Sequence, residues 1–186
     1  MEQLTLQLPP KGISLYRTAL TKDRRIPVLV SEKEIEYGER DLNYGSPRSI
    51  AKMLNEAFEH GYRTEEYVYL VCFDAAMHCV GVFELSHGTV NMSPMEMRAI
   101  FTKAMLCGAN SFVIAHNHPS GDATPSGSDR ACASRIALMG ILMEIKLVDF
   151  LIITDKTFMS FKEMNLIPES VKKDELHELV DDVFLL

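Results

Sequence analysis

The sequence predicts an α/β fold in which helices flank a mixed β-sheet. Three observations carry this. Apolar residues at helical spacing alternate along the chain with short β-rich runs, the elements come in the order helix, hairpin, helix, strand, helix, hairpin, and one of the runs is almost continuously apolar, as a strand covered on both faces is. With 186 residues, 47% of them hydrophobic and 24% charged, the chain suits one domain with an extension.

Residues 1–45 differ in character from the rest of the chain. Pro9-Pro10, charge runs, Gly38 and Gly45 interrupt them, and only Val28-Leu29-Val30 reads as a short strand, so they are expected to form an N-terminal arm. Tyr16, Arg17, Lys22, Arg24 and Arg25 on this arm read as a solvated face. Ser46 or Ser49 can cap a helix running to about His60, with Pro47 in its first turn and Gly61 ending it. Ile50, Met53, Leu54, Ala57 and Phe58 give that helix one apolar stripe, and His60 is expected to be structural. Glu66 to Phe73 and Cys79 to Leu85 are strand-like runs joined by five residues, which argues for an antiparallel hairpin. Ser93, Pro94 and Glu96 form a helix start, with Met97, Ile100, Phe101, Ala104 and Met105 on one face and a stop at Gly108.

Ser111 to Ala115 is a short buried strand that leads into His116. Thr124-Pro125 opens a very apolar helix reaching about Ile145, and Val148 to Thr154 is the next strand, returning through Phe158 to Phe161. These elements make a domain over residues 46–167, and residues 168–186 form an acidic amphipathic tail with helical spacing from Pro168 to Phe184.

Composition excludes some classes. A net charge of −7 does not favour a duplex-binding surface, since phosphate neutralisation needs clustered Lys and Arg, and the one dense basic patch is Lys22, Arg24 and Arg25, interrupted by Asp23. No stretch approaches the roughly 20 apolar residues of a membrane span, and the N-terminus does not read as a signal peptide, so a cytoplasmic protein with no membrane partner is expected. Cys72, Cys79, Cys107 and Cys132 lack CxxC pairing and sit among apolar neighbours, as buried free thiols do.

The chemistry concentrates at residues 115–129. Residues two apart on an extended segment point to one side, so His116 and His118 can both offer a ring nitrogen to one ion. Ser126 and Asp129, three apart at a helix start, share a face. Two imidazoles and a carboxylate, with a fourth position for water, are the ligand count of a catalytic zinc, and zinc so bound activates water and polarises an amide carbonyl. A carboxylate base must then take the proton, and the Ser126 hydroxyl is placed to stabilise an oxyanion.

His116-x-His118-x7-Ser126-x-x-Asp129 resembles the signature of the JAMM/MPN+ metalloproteases, and the run from Ala115 to Asp122, with Gly88-Thr89-Val90-Asn91, resembles the RadC family within them. The likeness covers about residues 46–167. It implies the MPN fold, a cytidine-deaminase-like three-layer arrangement; His116, His118 and Asp129 as zinc ligands; Ser126 as oxyanion donor; and a glutamate at the head of an early strand as general base. Glu66 begins a strand just after a helix, the family's place for that base, and is preferred; Glu84, near Ser86-His87-Gly88, is the alternative. The resemblance also implies hydrolysis of peptide or isopeptide bonds in a protein substrate.

Two further readings compete with this one. One is a RadC-like accessory module in DNA repair or metabolism, with zinc in a structural or vestigial role, although residues 1–45 are too short for the helix-hairpin-helix region typical of RadC proteins. The other is a metal-dependent nuclease, for which His116-Asn117-His118 lacks the short basic ββα context.

Overall fold

A computed structural model of the chain describes residues 12–36, 46–88 and 95–168. The elements are β1 (Ile13–Leu20), β2 (Pro27–Ile35), α1 (Pro47–Phe58), a 3₁₀ turn (His60–Tyr62), β3 (Glu66–Phe73), β4 (Cys79–Gly88), α2 (Met97–Leu106), β5 (Ser111–Asn117), α3 (Gly127–Leu142), β6 (Lys146–Ile153) and β7 (Phe158–Ser160). The strands form one seven-stranded mixed sheet in the order β2-β1-β4-β3-β5-β6-β7. The expected α/β fold is present: a mixed sheet with helices on both faces, in keeping with the MPN arrangement.

Strand alternation explains the three layers. On β3 the side chains of Val68, Leu70 and Cys72 join Phe112 and Ile114 of β5 in a core with Ile100, Phe101 and Ala104 of α2 and Ala133, Ile136 and Ala137 of α3. The intervening Tyr69, Val71 and Phe73 join Val113 and Ala115 in a second core with Ile50, Met53, Leu54 and Phe58 of α1. From Val68 to Phe73 both faces of β3 are therefore buried, which is why its sequence is nearly continuously apolar.

Residues 12–35 depart from the expectation of a single short strand at Val28 to Val30. β1 and β2 form an antiparallel hairpin of eight and nine residues, and β1 joins the sheet in parallel with β4, Leu15 opposite Val82. The hairpin is largely half-exposed, with charged residues such as Glu32, Lys33 and Glu34 on its outer edge, so its apolar alternation is diluted. The expected tail at 168–186 lies outside the described residues except for Pro168, as do Ser93 and Pro94. The second helix begins later than expected, with Glu96 at the N-cap position, and the third begins at Gly127 rather than at Thr124-Pro125, because the Ser126 side chain takes the cap. Met105, expected on the buried face of α2, is 52% exposed.

Gly61 does not end α1. Glu59 does, in the left-handed conformation at φ 53°. Gly61 is instead needed for packing: a Cβ there would stand 2.3 Å from the carbonyl oxygen of Thr154 at the end of β6. The neighbouring His60 is fully buried, edge-on to Tyr69 at 5.0 Å, with no hydrogen-bond partner on either ring nitrogen. Burial, aided by the nearby His116 and Arg63, pushes its pKa down from the usual 6.5 to about 3.

Two outcomes are expected at this corner. Gly61→Ala should cost about 1–3 kcal/mol by forcing the turn off β6, read as a lowered urea midpoint at unchanged slope. Because the unfolded chain takes up a proton at His60 that the folded chain refuses, stability should fall as pH drops from 6.5 towards 3. In His60→Phe that part of the loss should vanish, so urea unfolding at about pH 7 and about pH 4.5 should differ less than in the wild type.

Candidate metal centre

The end of β5 and the start of α3 bring three donors together. His116 is fully buried in β5, its ring against Phe150 at 5.2 Å, and His118 follows just beyond the strand with 15% of its side chain exposed. Their Nε2 atoms are 3.0 Å apart. Asp129 Oδ1 lies 3.3 Å from His116 Nε2, and Asp129 Oδ2 lies 3.7 Å from His118 Nε2. Among the described residues, these three form the one group of His, Cys, Asp or Glu side chains close enough to hold a metal ion.

The surroundings aim these donors. His118 Nδ1 lies 2.7 Å from the carbonyl oxygen of Asp122, and a carbonyl only accepts, so Nδ1 carries a proton and Nε2 is the nitrogen whose lone pair a neutral ring would offer. Asp122 is itself held in the loop, its Oδ1 accepting from the Thr124 N–H at 2.9 Å. Ser126 and Asp129 form a capping box at the N-terminus of α3: Ser126 Oγ accepts from the Asp129 N–H at 3.1 Å, and Asp129 Oδ2 accepts from the Ser126 N–H at 2.7 Å. Ser126 Oγ is also 2.6 Å from Oδ2 and 2.7 Å from Ser128 Oγ. With Oδ2 engaged by Ser126, Oδ1 is the oxygen left to face His116. Burial works against the Asp129 carboxylate, but the adjacent His116 and the hydrogen bonds from Ser126 outweigh it and hold its pKa well below the usual range.

The two glutamates occupy different faces of the sheet. Across the antiparallel β3–β5 ladder Val68 stands opposite His116, and both point towards α2 and α3. Glu66, the first residue of β3 and half-buried, is two residues before Val68 and so projects from that same face. Glu84 pairs with Tyr69, whose ring belongs to the α1 core, and its Oε1 lies 2.7 Å from His87 Nδ1. His87 stacks on Tyr67 at 5.2 Å rather than joining the three donors. His78 pairs with Asp74 at the surface, and His177 lies outside the described residues.

Lys22, Arg24 and Arg25 sit in the exposed turn of the β1–β2 hairpin. Since β1 runs parallel to β4, this turn lies at the sheet end where β4 finishes and β3 begins. All four cysteines are free thiols, with Cys72 buried and the others half-buried. Among the described residues no helix is long and apolar enough to cross a membrane.

Sequence reasoning puts Ser126 and Asp129 on one face but misses the reciprocal capping box, which the Ser-x-x-Asp spacing signals. It also misses the Asp122 carbonyl, for which side-chain identity gives no signal.

Comparison with known proteins agrees with this geometry. The family model described as "RadC-like JAB domain" matches residues 44–166. A UPF0758 protein of Thermotoga maritima is 33% identical over 115 residues, 62% of this chain and 52% of that protein. A UPF0758 protein of Clostridium perfringens is 36% identical over 126 residues, 68% of this chain and 55% of its own length. The chain thus spans about half the length of these relatives.

Removing the Ser126 hydroxyl should loosen both the helix and the carboxylate it orients. Ser126→Ala is expected to cost about 1 kcal/mol of stability as a lost cap. It should also weaken zinc binding by roughly 10–100-fold, measured by competition with a chromophoric chelator, as loss of a residue that orients a ligand does.

Proposed function

The chain belongs to the RadC-like JAB domain family, and from that premise we propose that it is a zinc-dependent hydrolase of peptide or isopeptide bonds in protein substrates. The observation that carries this reading is the convergence of two imidazole nitrogens and a carboxylate at separations of 3.0–3.7 Å. Donors about 2.0–2.1 Å from a tetrahedral zinc stand roughly 3.3–3.4 Å from one another, close to the 3.0 Å between the two imidazole nitrogens and the 3.3 Å from His116 Nε2 to Asp129 Oδ1. Three protein ligands also match a catalytic rather than a closed structural site, which argues against a purely structural zinc.

Zinc held there supplies water acidified to a pKa of about 7 and polarises the scissile carbonyl. The remaining roles fall to the chain's own residues. Glu66, on the His116 face of the sheet, takes the proton from the attacking water and delivers it to the leaving amine. Glu84 is the weaker base, because its carboxylate bonds His87 and its position in the ladder puts it on the α1 side. Ser126 Oγ turns from Asp129 Oδ2 to donate to the oxyanion, while the Ser126 N–H continues to hold Oδ2.

Glu66→Gln should retain about one zinc per chain yet lose roughly 10²–10⁴-fold in hydrolysis of a fluorogenic peptide or isopeptide library, whereas Asp129→Ala should lose the zinc itself. Cleavage by Glu66→Gln at the wild-type rate would contradict the assignment of the base.

A further inference from the structure

Between the two histidines stands Asn117, which the proposed chemistry does not use. It is fully buried, and both polar atoms of its side chain are committed to one short segment of backbone. Oδ1 accepts from the Tyr67 N–H at 2.7 Å, while Nδ2 donates to the Glu65 carbonyl at 3.0 Å and to the Arg63 carbonyl at 3.4 Å. The bonds to Glu65 and Tyr67 bracket Glu66.

Their location in the sheet gives them weight. The β3–β5 ladder ends at the pair Val68 and His116. Beyond that pair the β5 backbone stays with β6, the His118 N–H donating to Ile153 at 3.1 Å. The head of β3 would therefore have no backbone partner on its β5 side, and the Asn117 amide takes over the ladder there. An acceptor and two donors on a side chain this short are what Asn offers; Asp lacks the donors, and Gln reaches one methylene further.

We propose that Asn117 is a positioning residue that ties the backbone on either side of Glu66 to the strand bearing His116 and His118, fixing the distance between base and metal. The inference rests on Glu66 being the base. Its physical premise is that a misplacement of about 1 Å in a reacting group lowers a rate by roughly 10²-fold, so a base on an untethered strand end loses most of its effect without any change in the ligands.

The test reads the metal's surroundings rather than turnover. Wild type, Glu66→Gln, Asn117→Ala and the double variant are loaded with cobalt, and the pH midpoint of the change in the visible spectrum is measured for each. Glu66→Gln is expected to move the midpoint by removing a carboxylate near the ion. Asn117→Ala should move it in the same direction with cobalt stoichiometry unchanged, and should add nothing in the Glu66→Gln background, as residues acting through one another do. Amide exchange at Tyr67 should speed up in Asn117→Ala, confirming that the tether is lost.

If Glu66→Gln moves the midpoint but Asn117→Ala does not, or if the two shifts add independently, the positioning role is overturned and Glu66 stands as the base. If fully loaded Glu66→Gln keeps the wild-type midpoint, the base assignment falls and this inference with it. Should Asn117→Ala not fold, Asn117→Ser, which keeps a hydroxyl and leaves a smaller void, carries the same comparison.

Discussion

The antiparallel pairing of β3 with β5 is the constraint on which the rest of the structure depends. It sets Val68 opposite His116 and so decides which side chains of β3 share the face of His116. A slip of one residue would turn Glu66 to the α1 side and bury Tyr67 among the helices of the other layer. The register is held because β3 is buried on both faces: Leu70 and Cys72 fit one core and Val71 and Phe73 the other. Packing thus orients residues from three segments well separated in sequence.

The centre itself joins two kinds of local order. His116 comes from inside the sheet and inherits its rigidity, whereas Asp129 comes from the first turn of α3, where unpaired backbone N–H groups favour a carboxylate. The capping box commits one oxygen of Asp129 to the helix and leaves the other facing His116. Burying a carboxylate this deeply is unfavourable unless it is hydrogen-bonded, and the Ser126 N–H and hydroxyl meet that requirement. Helix capping and orientation of the Asp129 carboxylate are here the same interaction.

Much of this is legible in the sequence. β3 matches its apolar run residue for residue, and the grouping of His116, His118 and Asp129 can be read from His-x-His and the Ser-x-x-Asp after it, because short-range spacing fixes which side chains share a face. Long-range consequences are not legible. The β1–β2 hairpin shows only as Val28 to Val30 because an edge hairpin with charged outer residues carries little periodic signal. Thr124-Pro125 reads as the start of α3 because Pro favours a first turn, but the reciprocal bonds of Ser126 and Asp129 outweigh that preference. Neither the opposite faces of Glu66 and Glu84 nor the bonds of Asn117 can be seen without the register.

The central claim is that one divalent ion sits among His116, His118 and Asp129, and anomalous diffraction at the zinc edge from crystals of the zinc-loaded protein tests it most directly. A single strong peak is expected about 2.0–2.1 Å from His116 Nε2, His118 Nε2 and Asp129 Oδ1. A peak held by other side chains, or none at this group with all three residues intact, would contradict it.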